Sequence, residues 1–239
     1  MRMPEQTLLP GVGLRAFDDY GALCGDLAEQ VAGCLRESIR ERGKAVLVVS
    51  GGSTPVGFFQ VLAGLEVAWA RVTVVPSDER WVAADDDQRN SRMIRQYLLQ
   101  GPAAEARLLE LAEKEDQTPE QAAANASQRL DELPWPADVV VLGMGDDGHT
   151  ASLFPDAPEL PGAMAPDSTA VVVTSPGSQS TRRVTLSARM LAGARMTVLL
   201  IRGSSKRDSL DRVIEEPLAI GPMPVRYFLH QPMTVFWSP

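Results

Sequence analysis

The chain has 239 residues, of which 44% are hydrophobic, and a chain of this length can bury a substantial core. Its 23 basic and 31 acidic residues give a formal net charge of −8, which argues against nucleic acid or an anionic membrane surface as a partner. An anionic substrate would therefore need a local basic cluster. The two cysteines, Cys24 and Cys34, have the spacing of neither a disulfide framework nor a metal site.

The longest apolar runs have the length of strands, and the first residues contain no continuous apolar stretch. We therefore expect a soluble, cytoplasmic protein that does not enter a membrane. No linker-like segment divides the chain, so we also expect one domain over residues 1–239.

Helical and strand-like segments alternate along the chain. An amphipathic helix is predicted over residues 18–41, where apolar side chains recur at four-residue spacing. Strands are predicted at 45–49, 71–76, 138–142, 170–174, 183–187, 196–201 and, as an edge-like strand, 233–237. Further helices are predicted after 55, near 93–98, from 118 to about 133, after 203 and at 224–231. This order predicts an α/β fold with a single doubly wound, mostly parallel sheet and helices on both faces, similar to a Rossmann fold.

The first buried strand runs directly into the sequence SGGSTP at 50–55, and a helix follows. Successive backbone N–H groups in such a turn form a concave nest for an anion, and the helix N-terminus adds partial positive charge. No Gly-Lys-Ser/Thr follows, so a nucleoside triphosphate with magnesium is not indicated. The residues predicted to bind a phosphate group here are Ser50, Gly51, Gly52, Ser53 and Thr54.

Polar side chains also follow the strands at 71–76 and 196–201. Arg80 can supply a bidentate, charge-assisted contact to phosphate, and Asp78 can bind sugar hydroxyls or orient a water molecule. Lys206 follows a glycine at the start of a helix, which repeats the layout of the first turn and suggests a second phosphate contact.

The strand at 138–142 ends in the glycine-rich turn GMGDDGH, which contains Asp147 and His149. Imidazole can accept and return a proton near neutral pH, and a carboxylate two residues away can orient its ring. Gly145 allows a ligand to approach the backbone closely. The turn matches G-x-G-x-x-G, but two acidic residues inside it disfavour a dinucleotide, and no acidic strand end follows about 20 residues later.

Four blocks of this sequence resemble the 6-phosphogluconolactonase family, whose fold is shared with glucosamine-6-phosphate deaminase and ribose-5-phosphate isomerase. They are VSGGSTP (49–55), SDERWV (77–82), LGMGDDGHTASLFP (142–155) and the Gly-x-x-Lys of 203–206, with 183–187 as a further strand block. The resemblance extends over nearly the whole chain. It also places Asn90 in the substrate site, although Arg89 stands where the family has serine.

The resemblance implies hydrolysis of 6-phospho-D-glucono-1,5-lactone to 6-phosphogluconate, in the oxidative pentose phosphate pathway. His149 would be the general base for water, Asp147 and Asp78 would assist, and the turn at 50–54, Arg80 and Lys206 would hold the phosphate. Neither a metal nor a cofactor is expected, and the protein would be a monomer or a weak homo-oligomer.

Two other functions remain open from the sequence. A sugar-phosphate deaminase or isomerase on the same scaffold shares the Asp147-Gly148-His149 element, but it continues into a segment with a glutamate, and residues 150–155 contain no acid. A non-catalytic sugar-phosphate sensor is the second alternative, since a fold does not determine a function.

Overall fold

The computed structural model describes residues 6–113 and 116–239 of the protein, arranged around an eight-stranded sheet. The strands are β1 (Gln6–Leu9), β2 (Val12–Ala16), β3 (Ala45–Val49), β4 (Val72–Pro76), β5 (Asp78–Arg80), β6 (Arg107–Leu108), β7 (Val139–Leu142), β8 (Val171–Thr174), β9 (Arg183–Leu186), β10 (Met196–Arg202) and β11 (Met233–Ser238). The helices are α1 (Tyr20–Arg42), α2 (Val56–Ala63), α3 (Asn90–Tyr97), α4 (Pro119–Leu130), α5 (Leu160–Ala163), α6 (Ala188–Leu191) and α7 (Ser204–Glu215). Short 3-10 helices lie at Trp69–Arg71, Gly101–Glu105 and Pro224–His230.

The strand order of the main sheet is β1-β2-β11-β10-β7-β3-β4-β6, and every pair except β1 with β2 is parallel. In this order β4 lies next to β3, towards the β6 edge of the sheet, and β10 lies next to β7, towards the β1 edge. The boundary between β3 and β7 is therefore a topological switch point, where an open α/β sheet leaves a crevice at the carboxyl ends of its strands.

Alternating side chains of the central strands explain why helices cover both faces of the sheet. In β3, Val46 and Val48 join the core that contains residues of α4 and α7. Leu47 and Val49 join the core that contains residues of α1 and α2. Because successive side chains of a strand point to opposite faces, a continuous apolar run needs a cover on each side. The predicted doubly wound, mostly parallel sheet is confirmed.

The first long helix lies on this second core with both ends defined. Asp19 caps the N-terminus of α1 by accepting a hydrogen bond from the backbone N–H of Ala22 at 2.8 Å. Gly43 ends the helix with φ of 75°, a conformation that glycine adopts without steric cost. Among the described residues, no helix combines the length and apolarity needed to cross a membrane.

Two features differ from the expectations based on sequence. The segment at 233–237 was expected to be edge-like, but β11 lies inside the sheet between β10 and β2, because the hairpin of β1 and β2 covers it. In addition, β5, β9 and β8 form a separate three-stranded antiparallel sheet. This smaller sheet follows β4 directly and carries Asp78 and Arg80.

Candidate active site

A cleft of about 310 Å³ opens at the carboxyl edge of the main sheet, above the switch point. The segments that follow β3, β4, β7 and β10 form its walls. All predicted site residues except Asp147 line it: Ser50, Gly51, Gly52, Ser53, Thr54, Asp78, Arg80, Asn90, Gly145, His149 and Lys206. Asp147 lies behind His149 and contacts its ring. Because these four strands are adjacent and parallel, the residues that follow them meet at one edge of the sheet although they are far apart in sequence.

The turn after β3 presents unpaired backbone donors to the cleft. Within the described part of the chain, no group accepts a hydrogen bond from the backbone N–H of residues 51–54. The N-terminus of α2 follows at once, and its N-cap residue Pro55 supplies no capping side chain. Because unpaired N–H groups and a helix N-terminus both favour negative charge, this wall of the cleft is suited to an anion.

Ser50 has a different environment from the rest of this turn. Its hydroxyl donates a hydrogen bond to the carbonyl of Val141 at 3.1 Å and accepts one from the backbone N–H of Gly143 at 3.0 Å. The Ser50 side chain thus joins the ends of β3 and β7 on the inner wall of the cleft. These contacts hold the turn at 50–54 and the histidine-bearing turn in a fixed relation.

The histidine lies on the turn after β7, with one edge fixed by a carboxylate. The Nδ1 atom of His149 is 2.6 Å from Oδ1 of Asp147, and the same oxygen accepts the backbone N–H of His149 at 3.1 Å. The ring also stacks on Phe154, with 4.0 Å between the ring centroids. When Nδ1 carries the proton that Asp147 accepts, Nε2 has a free lone pair. The imidazole is therefore oriented to act as a base in the cleft.

Gly145 is required by the close approach of this pair to the backbone. A Cβ atom at position 145 would lie 2.1 Å from Nδ1 of His149 and 2.5 Å from Oδ1 of Asp147. The backbone N–H of Gly145 donates a hydrogen bond to the carbonyl of His149 at 2.9 Å, and this bond closes the turn. Any other residue at this position would displace the histidine or the carboxylate.

The charge of Asp147 depends on its partner. Partial burial opposes ionisation of this carboxyl group, but the hydrogen bond and the charge interaction with His149 outweigh it and lower the pKa of Asp147 below its ordinary value. Asp147 is therefore a carboxylate throughout the neutral range, as required of a group that holds Nδ1–H and stabilises an imidazolium.

Asp78 is a buried carboxylate at the floor of the cleft, 7% exposed. Its oxygens accept hydrogen bonds from the hydroxyls of Ser77 at 3.0 Å and Ser152 at 2.6 Å, while Asn90 donates to its backbone carbonyl at 2.8 Å. A Cβ atom at Gly51 would lie 1.9 Å from Oδ1 of Asn90, so the Asn90 amide packs directly on the turn at 50–54. Asp78 and Asn90 thus support the cleft floor and also face into it.

Three cationic side chains line the cleft: Arg80, Lys206 and Arg202. Arg80 donates to the carbonyl of Gln88 at 2.8 Å. Lys206 forms an ion pair with Asp146 at 2.8 Å. Arg202 was not predicted as a site residue, although its position next to Gly203 at a strand end could have indicated it.

Among the described residues, no group of three or more His, Cys, Asp and Glu side chains is placed to hold a metal ion.

The chain is similar to known proteins along its whole length. A family model described as "Glucosamine-6-phosphate isomerases/6-phosphogluconolactonase" matches residues 18–237. A 6-phosphogluconolactonase of Pseudomonas aeruginosa is 42% identical over 243 residues, covering 100% of both chains. One of Mesorhizobium japonicum is 42% identical, covering 94% of each. The crystal structure of a 6-phosphogluconolactonase from Shewanella baltica superposes with a TM-score of 0.91 at 39% identity, covering 95% of this chain and 97% of that one.

The region matched by the family model contains every residue that lines the cleft. The alignment with the Pseudomonas aeruginosa protein covers the full length of both chains. The resemblance found in the four sequence blocks is therefore confirmed at the level of the entire chain. This protein belongs to the family of glucosamine-6-phosphate isomerases and 6-phosphogluconolactonases.

Proposed function

We propose that this protein hydrolyses 6-phospho-D-glucono-1,5-lactone to 6-phosphogluconate, as a cytoplasmic enzyme of the oxidative pentose phosphate pathway. The observation that carries the proposal is the pairing of an anion-binding wall with an oriented histidine in one cleft. The phosphate lies on the turn at 50–54, near Arg80 and Lys206, and its position brings the lactone carbonyl towards His149.

The reaction proceeds by attack of water on the carbonyl carbon C1. Nε2 of His149 takes a proton from the water as the oxygen bonds to C1, and Asp147 holds the Nδ1–H of the resulting imidazolium. The tetrahedral intermediate then collapses, the bond between C1 and the ring oxygen breaks, and the imidazolium gives its proton to that oxygen. The product acid ionises in solution. An ester of this kind needs no covalent enzyme intermediate.

Asp78 has a supporting role in this scheme. Both of its carboxylate oxygens accept hydrogen bonds from serine hydroxyls, so the group is held as an ordered negative charge facing the cleft. From this position it can accept a hydrogen bond from a sugar hydroxyl, while Asn90 and Gly145 shape the surface against which the sugar lies.

A coupled assay tests the proposal. Glucose-6-phosphate dehydrogenase generates the phosphorylated lactone in place, and 6-phosphogluconate dehydrogenase reports each molecule of product, with and without this protein. We expect acceleration above spontaneous hydrolysis. The competing deaminase function predicts ammonia release from glucosamine 6-phosphate, and a sensor predicts binding of the sugar phosphate without turnover, so either of those results would replace the proposal.

A further inference from the structure

We propose that Arg202 makes a direct contact with the substrate's phosphate group and that Tyr20 positions it for this contact. The inference rests on the function proposed above and deepens it, because it names a residue of the phosphate site that the four sequence motifs do not include. The three cations of the cleft differ in their contacts with the rest of the protein.

Two of these cations already have partners in the protein. Lys206 is paired with the carboxylate of Asp146 at 2.8 Å, and Arg80 donates to the carbonyl of Gln88 at 2.8 Å. Within the described residues, Arg202 has neither a carboxylate within ion-pair distance nor a hydrogen-bond acceptor for its guanidinium group. Of the three cations, Arg202 is therefore the one with no N–H donor engaged by another described residue.

Arg202 is nevertheless held in place. Its guanidinium carbon lies 4.4 Å from the centroid of the Tyr20 ring. A guanidinium attracted to an aromatic face uses none of its N–H donors in that contact, so they remain available for a bidentate contact with phosphate oxygens. The stack therefore orients the side chain without using its hydrogen-bonding capacity.

Tyr20 connects this arginine to the phosphate-binding turn. The Tyr20 hydroxyl donates a hydrogen bond to the carbonyl of Thr54, and a Cβ atom at Gly57 would lie 2.7 Å from the Tyr20 ring. The ring thus packs against the first turn of α2, where the unpaired N–H groups end. Strand alternation agrees with this placement: Val198 and Leu200 of β10 face the core of α1 and α2, so Arg202 lies on the same side.

The test compares two neighbouring arginines that each lie over an aromatic ring. Arg207 lies over the Trp237 ring at 5.8 Å and donates one hydrogen bond to Asp211, but it does not line the cleft. Arg202→Met and Arg207→Met remove the same charge from adjacent parts of the chain. Binding of inorganic phosphate and of 6-phosphogluconate is measured by calorimetry for both variants, together with KM and kcat in the coupled assay.

We expect Arg202→Met to weaken phosphate binding and raise KM about tenfold, with kcat within about twofold of the wild-type value, since a charge-assisted contact at an exposed side chain is lost. Arg207→Met should change phosphate affinity, KM and kcat by less than about twofold.

Arg202→Lys should recover only part of the lost phosphate affinity, because an ammonium group keeps the charge but not the planar bidentate geometry. Tyr20→Phe keeps the ring and should retain most of the affinity, whereas Tyr20→Leu should resemble Arg202→Met.

Equal phosphate affinity in the Arg202→Met and Arg207→Met proteins, with wild-type thermal stability, would overturn the inference while leaving the lactonase proposal intact. Conversely, weaker phosphate binding by Arg202→Met in a protein that shows no lactone turnover would support the contact and reject the proposed activity. The two failures are therefore distinct.

Discussion

Nδ1 of His149 and Oδ1 of Asp147 are 2.6 Å apart on a single glycine-rich turn, and the same carboxylate oxygen also accepts the histidine's backbone N–H. The carboxylate thus fixes both the ring and the main chain of the residue that we propose as the base. Their separation in sequence is only two residues, so the pair forms within one turn, and the backbone N–H of Val225 supports this turn by donating to the carbonyl of Gly148 at 3.0 Å.

Asp147→Asn tests the role of this carboxylate. The amide keeps the size of the side chain but no longer stabilises an imidazolium, so we expect kcat to fall about tenfold or more with a small change in KM. Steady-state kinetics on the purified variant measure both constants. A kcat equal to that of the wild type would mean that the carboxylate has no part in the reaction.

The same variant has a predicted pH dependence of stability. The pKa of Asp147 is lower in the folded protein than its ordinary value of 3.8, because the hydrogen bond and charge of His149 outweigh partial burial. A lowered folded pKa stabilises the protein above the unfolded pKa, and this stabilisation is lost as pH falls through the folded value. The stability difference between wild type and Asp147→Asn should therefore be present at pH 7 and shrink below about pH 3.8, as measured by denaturant titration at each pH.

Gly145→Ala should reduce activity without unfolding the protein. The added methyl group would meet Nδ1 of His149 at 2.1 Å, so the ring or Asp147 must move. We expect kcat to fall by roughly a hundredfold, since displacement of about 1 Å in a reacting group can have an effect of this size. Gly33→Ala in α1 is the control, because a methyl group there meets nothing within 4 Å, and it should retain full activity. Full activity of Gly145→Ala would contradict the described turn.

Glu79 should contribute to stability in spite of its position beside the cleft. It is fully buried, and its carboxylate accepts three backbone N–H groups, those of Arg80, Asn90 and Ser91, each at 2.8 Å. In Glu79→Gln an N–H₂ group would face one of these donors, so we expect a loss of about 1–3 kcal/mol in the free energy of unfolding. Urea denaturation measures it, and Glu132→Gln, an exposed control, should change it by less than about 0.5 kcal/mol.

We predict that Asp146 weakens the interaction of Lys206 with the phosphate group of the substrate. The Asp146 carboxylate is 67% exposed and pairs with the ammonium group at 2.8 Å, so its removal frees an N–H donor of Lys206 and makes the local charge more positive. Asp146→Asn should lower KM about two- to fivefold, in line with the modest strength of exposed ion pairs. Asp208→Asn removes the same charge from an exposed position on α7 and should leave KM unchanged. If both variants lower KM equally, the effect comes from net charge and not from the ion pair.

The sequence was sufficient to predict the central strands and their glycine turns. The runs at 45–49 and 196–201 are almost continuously apolar and contain several β-branched residues, a pattern typical of strands in a buried parallel sheet. Because the carboxyl ends of parallel strands share one edge, the meeting of residues near 50, 77, 143 and 203 could be expected before their pairing was known.

Other features depended on contacts that no local pattern reveals. The position of β11 inside the sheet depends on its pairing with β2. The segments of β1 and β2 contain glycine and polar residues and do not look like buried strands, and the sequence of β11 does not reveal the pairing. The contact of Arg202 with Tyr20 could not be predicted either, because Tyr20 lies on a helix about 180 residues earlier in the chain. Likewise, the buried position of Glu79 depends on the pairing of β5 with β9.

The measurement that most directly tests the proposed reaction is kcat of His149→Ala in the coupled lactone assay, compared with His230→Ala. His230 is the other histidine of the chain, exposed at the end of the last 3-10 helix and away from the cleft. We expect His149→Ala to lower kcat by about 10²–10⁴-fold with little change in phosphate binding, and His230→Ala to behave as wild type. A wild-type kcat for His149→Ala would contradict the assignment of this residue as the base that activates water.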